Sequence, residues 1–263
     1  MALFPCKMDV YSEYAKQKQR IKKSIMLKPR IILITAFAVA FQTALASSAI
    51  AGATKGAYFG VDVGYSWLDD YTYFLDGSSS GDHPTDFDGG LIWTLKGGYG
   101  YDNGWRAELE LSHRENDVDS FNDMDGSGSV TNTSLFLNAL YDFDSGSMFT
   151  PFLGAGVGYM DIDVNNARHT EHDNPLHSNG GCCTGIVDGS DGVIGIQGIA
   201  GVSYAVSPTV SVVLDVRYVT ALNDPEFGYG YGCNSDGTGC DGTGTLKMDY
   251  SNTSVNLGFR MQF

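Results

Sequence analysis

The residues best able to do chemistry in this chain are charged side chains set at every second position within apolar runs. Asp62, Lys96, Arg106, Glu108, Glu110, Asp142, Asp215, Arg217 and Arg260 share faces with glycine, serine and asparagine. The alternate positions are mostly Val, Leu, Phe, Tyr and Trp. Period-two alternation separates the two faces of an extended strand. Enclosed on one face, these five acids and four bases survive only by pairing. The turn at Asn103 pairs positions whose numbers sum to about 206, which sets Lys96 opposite Glu110 as one expected pair. Such a set can act as a polar plug that holds a wall together, or as a gated ion path.

Other constellations are less complete. His113 stands beside Ser112, but adjacent strand residues face opposite ways, so the two cannot form a nucleophile and base directly. His83, His169, His172 and His177 lie in acidic segments, and no enzyme is expected. Gly154 to Gly158 has glycine spacing like a phosphate loop, but no helix follows and the alternation places it in a strand. Asp123, Asp125 and Ser127 place oxygen ligands at alternate positions, as a calcium loop does, although Ser134 stands where the closing glutamate belongs. Asn234 to Asp241 is a looser example. Asp/Gly segments of this kind are also ordinary turn material. Asn132 and Asn252 match glycosylation acceptors, read here as chance.

The elements that position these residues are strands. Alternating segments run over about 57–68, 91–101, 105–113, 131–143, from near 148 to 159, 193–206, 209–220 and from Val255 to the closing Phe263. Asp102-Asn103-Gly104, Asp144 to Ser147 and Ser207-Pro208 are tight turn signals. The other connections are long, roughly 69–90, 114–130, 161–192 and 221–250. They carry about 22 acids against three bases, Arg114, Arg168 and Lys247. Aromatic residues gather at strand ends, including Tyr58, Trp67, Trp93, Tyr99, Trp105, Tyr141, Phe149, Tyr204 and Tyr218. Charge shares a face with glycine, so it goes inside and the apolar face goes to lipid. The expected architecture is an eight-stranded antiparallel transmembrane β-barrel with four long extracellular loops and three short periplasmic turns. Eight strands leave an interior just wide enough for side chains, which disfavours a broad pore.

Residues 1–46 read as an N-terminal extension and cleaved secretory signal peptide: a basic stretch to Arg30, an apolar run from Ile31 to Leu45, then Ala44-Leu45-Ala46. Met1, Met8 and Met26 are alternative starts. Residues 47–263 would be the barrel domain. The leader holds eight of the 16 Lys and Arg but only two acids, so its loss takes the net charge from −15 to about −21. Such charge repels nucleic acid. Cleavage also removes Cys6, leaving Cys182, Cys183, Cys233 and Cys240, which read as disulfides outside the cytoplasm rather than as a zinc set. Cys233 and Cys240 are expected to bridge, while Cys182 and Cys183 form a vicinal bridge or join across loops.

Thr150 to Tyr159 (TPFLGAGVGY), Gly198 to Pro208 (GIAGVSYAVSP), Asp215-Val-Arg-Tyr218 and Phe263 resemble the small outer-membrane β-barrel family of OmpA-like transmembrane domains and opacity-type porin family surface proteins. The resemblance implies a bacterial outer membrane and insertion by the outer-membrane assembly machinery, with Phe263 in the assembly signal. The expected role is structural and surface-interacting, with a small porin-like channel and a lipid-modifying enzyme as alternatives. Expected partners are outer-membrane lipid and lipopolysaccharide, with Arg114 and Arg168 touching phosphate, and a host or surface ligand. Ca²⁺ or Mg²⁺ would relieve repulsion among the acidic loops.

Overall fold

The computed structural model describes residues 54–69, 71–75, 83–121, 124–169, 184–233 and 242–263. Among them run β1 (Gly56–Leu68), β2 (Tyr71–Leu75), β3 (His83–Phe87), β4 (Gly90–Gly100), β5 (Trp105–Phe121) and β6 (Met124–Asp142). Then follow β7 (Phe149–His169), β8 (Thr184–Ala205), β9 (Val210–Ala221), β10 (Glu226–Cys233), β11 (Gly242–Lys247) and β12 (Ser251–Gln262). Every pairing is antiparallel.

The sheet closes twice. One ring runs β1–β4–β5–β6–β7–β8–β9–β12 and returns to β1. This is the expected eight-stranded barrel. A second ring runs β5–β6–β7–β8–β10–β11–β2–β3 and returns to β5. The shared strands β5 to β8 are 17, 19, 21 and 22 residues long. A tilted strand needs only about 9–11 residues to cross a bilayer. Their lower halves build the membrane barrel, and their upper halves join two hairpins in an outer tier.

This departs from the expected loops. Much of 114–130 and 161–192 is strand rather than irregular chain, and 69–90 and 221–250 each contribute a hairpin. The reason is an inversion of polarity at constant pleat. In β7, Leu153, Val157 and Tyr159 face outward and are exposed, as lipid contact requires. Farther along the same outward face come Asp161 and Asp163. The opposite face changes the other way, from Gly154, Gly156 and Gly158 to Met160, Ile162 and Val164, all 3% exposed or less. Where lipid gives way to water, the apolar side chains move to the inside.

The outer tier therefore has an apolar core like that of a water-soluble barrel. Val118, Val130, Met160, Ile162, Val187, Phe227 and Leu246 are among its buried members. A smaller cluster of Leu140, Phe152, Ile199 and Val213 lines one side of the periplasmic end. The aromatic rims bracket the lipid band. Trp105 meets Tyr141 edge-on at 5.3 Å, and Phe149 meets Tyr204 at 5.0 Å, on the periplasmic rim. Trp93, Tyr65 and Tyr159 mark the other. From Phe149 to Tyr159 is eleven residues, matching the bilayer crossing. Tyr58, expected in a girdle, instead points into the lumen and is 3% exposed. Gly104 adopts φ +85°, the left-handed conformation that closes the β4–β5 turn without steric cost.

Candidate functional site

All nine charged residues expected in the lumen are there, each 5% exposed or less. The barrel brings them from six strands into one lumen. Lys96 Nζ lies 2.6 Å from Asp62 Oδ2 and 3.7 Å from Asp215 Oδ2. The glycines of this face make the room. A Cβ on Gly60 would fall 2.7 Å from Lys96 Cε, and one on Gly258 would fall 2.0 Å from Asp62 Oδ1. Side chains there would collide with the pair.

Arg217 is the hub of the layer. Its Nε and Nη2 donate to Asp215 Oδ1 and Oδ2 at 2.9 and 3.2 Å, a two-pronged contact suited to a guanidinium. Its Nη1 donates to Glu110 Oε2, and Nη2 lies 3.5 Å from Asp62 Oδ2. Asn138 Nδ2 and Gln197 Nε2 also donate to that Glu110 oxygen, at 2.7 and 3.0 Å. Asn256 Nδ2 donates to Asp215 at 2.8 Å.

The expected Lys96–Glu110 ion pair is therefore corrected. The backbone register is as expected, with Lys96 directly opposite Glu110. The side chains choose other partners because the lumen is narrow. Arg217 reaches Glu110 from β9, across the barrel, while Lys96 turns to Asp62 on its other neighbour, β1.

A second group fills the periplasmic side. Arg106 Nε donates to Asp142 Oδ1 at 2.9 Å, and its Nη1 lies 3.7 Å from Glu108 Oε2. Tyr58 donates its hydroxyl to Glu108 at 2.9 Å. Asp142 also accepts the Thr54 backbone N–H at 3.0 Å, which ties the start of the described chain to the wall. Arg260 donates to Ser203 Oγ at 3.1 Å and lies over the Tyr58 ring at 5.7 Å.

Arg114 is the largest correction at this site. Expected in an outer loop against lipid phosphate, it lies in β5, faces inward and is 1% exposed. The signal was present: Arg114 continues the even-numbered face of Arg106, Glu108, Glu110 and Ser112. Ending that strand at His113 hid it. With Arg114, lumen acids and bases number five each. Asn138 and Gln197, already on polar faces by sequence, prove to be bridging members.

The remaining expectations fall as follows. His113 faces outward at the upper edge of the lipid band, its Nδ1 2.9 Å from Thr133 Oγ1 and its ring 5.7 Å from Trp93. Ser112 faces inward and bonds Ser134 at 2.9 Å, so these two do not meet. Asp125 and Ser127 lie in β6, opposite Ser120 and Arg168 respectively. Asp123 lies outside the described residues. So do Cys182, Cys183, Cys240 and residues 1–46, while Cys233 ends β10 opposite Thr184. Among the described residues, no group of three or more His, Cys, Asp or Glu is gathered for a metal ion. Phe263 is 77% exposed and its N–H donates to Ala57 O at 2.9 Å.

Known proteins place this architecture. OprG, an outer membrane protein of Pseudomonas aeruginosa, matches with TM-score 0.52 and 17% identity over 80% of this chain and 99% of that one. Neisserial surface protein A matches with TM-score 0.45 and 19% identity over 80% of this chain and 98% of that one. AlkL, an outer membrane protein, matches with TM-score 0.46 and 16% identity over 82% of this chain and 94% of that one. No curated protein matches in sequence. The family described as outer membrane protein beta-barrel domain matches residues 34–263. With a closed barrel, a lipid-facing apolar band and that match over most of its length, this chain belongs to the outer membrane protein β-barrel family and resides in the bacterial outer membrane.

Proposed function

We propose that the protein is a structural and surface-interacting component of the outer membrane rather than a channel or an enzyme. The observation that carries this reading is how the lumen is filled. A cross-linked charged layer spans it, and an apolar core occupies the tier above. Moving an ion past both would require separating buried pairs and crossing an apolar zone, each unfavourable in a confined interior. The test is conductance of the refolded mature barrel in planar bilayers. A quiet bilayer at protein densities where a known porin conducts is expected; reproducible single-channel steps would favour the porin reading.

The outer tier gives the surface role a platform. Glu115, Asp117, Asp161 and Asp163 project outward just above the lipid band and are spaced by sheet geometry. Mutual repulsion on this collar favours Ca²⁺ or Mg²⁺, which would also bridge it to the phosphates of lipopolysaccharide. Asp125 and Ser127 lie near the top of the tier, where a host or surface ligand would first touch. Phe263, at the periplasmic rim, remains the proposed signal for the assembly machinery. Titration of Ca²⁺ into the folded barrel, with an Asp161→Asn, Asp163→Asn variant alongside, tests the collar. Heat absent in both proteins would remove the cation.

A further inference from the structure

The chain enters β1 from inside the lumen. Gly56, the first residue of β1, has φ +80°, a left-handed conformation open to glycine, and the residues before it turn inward. Thr54 is 2% exposed, and its N–H donates to Asp142 Oδ2 at 3.0 Å, at the periplasmic end of β6. β6 is three strands away from β1 around the ring, so by Thr54 the chain has left the wall and heads across the mouth. On the way it passes Gly100, where a Cβ would fall 1.9 Å from the Thr54 carbonyl oxygen. A side chain at Gly100 would block that path.

The mouth that Thr54 enters has hydrogen-bonding capacity left over. Arg106 Nη2, Arg260 Nε and Thr54 Oγ1 are buried without a hydrogen-bond partner. Such groups cost stability until they are satisfied. The charges beside them already balance, with Arg106 and Arg260 against Glu108 and Asp142. The missing acceptor for each guanidinium is therefore neutral, as a peptide carbonyl oxygen is. Leu140, Phe152, Ile199 and Val213 give the same end an apolar wall.

Residues 47–53 lie outside the described residues. Their sequence is Ser-Ser-Ala-Ile-Ala-Gly-Ala, without charge and with one large side chain, Ile50. Seven residues reach at most about 25 Å. A ring of eight strands, about 4.8 Å apart and tilted by about 40°, is roughly 16 Å across. The segment is thus long enough to span the mouth. We propose that residues 47–53 dock in the periplasmic mouth as the chain's own uncharged ligand, with carbonyls on Arg106 and Arg260 and Ile50 against the apolar wall. This adds a third seal, beneath the charged layer and the outer core.

The test is amide exchange of the mature barrel, residues 47–263, refolded in detergent and read residue by residue. Amides of 48–53 are expected to exchange at least about tenfold slower than their intrinsic rate. Gly100→Ala, whose Cβ meets the Thr54 carbonyl, should abolish that protection while β5 to β8 keep theirs. Exchange of 48–53 at the intrinsic rate in the wild type overturns the proposal, and so does protection that survives Gly100→Ala unchanged. Should Gly100→Ala fail to refold, a thiol decides. Val213→Cys should react with a water-soluble maleimide at least about tenfold faster in a chain that begins at Thr54 than in one that begins at Ser47. Equal rates overturn the docking. The intact mass of the protein taken from outer membranes fixes its first residue, and a mature chain that begins at Thr54 or later overturns the proposal at once.

Discussion

Lys96 Nζ sits 2.6 Å from Asp62 Oδ2, although the residue directly across the ladder from Lys96 is Glu110. Register thus fixes who is adjacent, but closure of the ring fixes who pairs. Lys96→Met takes from Asp62 its 2.6 Å partner and leaves it only Arg217 Nη2 at 3.5 Å, and loss of one partner of a buried pair typically costs about 3–5 kcal/mol. Adding Asp62→Leu should recover part of that loss, whereas adding Glu110→Leu should recover none, because it removes a partner of Arg217 and not of Lys96. Urea unfolding of the barrel in lipid vesicles measures the wild type, the three single variants and the two double variants. Equal recovery by the two second substitutions would contradict the pairing, and strict additivity with Asp62→Leu would do the same.

The outer tier should behave as a packed core and the lipid face should not. Ile162 is fully buried, so Ile162→Ala should cost about 2–5 kcal/mol through lost burial and a cavity. Val157 is 51% exposed on the outward face, and Val157→Ala leaves no internal cavity. Its cost should stay under about 1 kcal/mol, because lipid fills the space. Amide exchange in the upper halves of β5 to β8 should be slow in the wild type and accelerated by Ile162→Ala alone. Fast exchange there in the wild type would show loops rather than a second ring.

Proteolysis distinguishes the two placements of Arg114. Lys55 and Lys247 have exposed side chains, at 59% and 58%, whereas Arg114 is 1% exposed within a paired strand. Trypsin acting on the folded barrel should cut after Lys55 or Lys247 and leave the bond after Arg114 intact. Mass spectrometry of the fragments gives the answer, and early cleavage after Arg114 would return it to a loop.

Asp224 and Asp249 flank the β10–β11 hairpin, one before β10 and one after β11. A hydrogen bond that the protonated Asp249 carboxyl donates to Asp224, then slight desolvation and the charge of Asp224, hold the Asp249 pKa above its ordinary value. A raised carboxyl pKa means that the folded state holds the proton more tightly than the unfolded chain does. Its stabilising contribution is therefore fully present below 3.8, the ordinary value, and is lost as pH rises through the raised folded value. Protection of β11 amides, measured against their intrinsic exchange rate at each pH, should be greatest at acid pH and fall as Asp249 ionises. Asp249→Asn should flatten that dependence; an unchanged profile would separate the pair from hairpin closure.

The sequence by itself determined the membrane barrel. Alternation over segments such as Val255 to Phe263 assigns each side chain to lipid or lumen, because a strand has only two faces. Tight turns fix the register, and Lys96 does face Glu110. Three things were decided only by tertiary structure. The Lys96 partner came from β1 and the Glu110 partner from β9, elements whose proximity exists only once the ring closes. The outer tier arose because Tyr159-Met160-Asp161-Ile162-Asp163-Val164 inverts polarity without breaking pleat, which reads as a strand ending unless the solvent outside is known to change. Arg114 followed from that: its face was legible from its even number, but only continuation of β5 and β6 beyond the membrane buried it. Local pattern specifies a two-faced strand; which solvent each face meets, and which charges share the lumen, depends on contacts far apart in the chain.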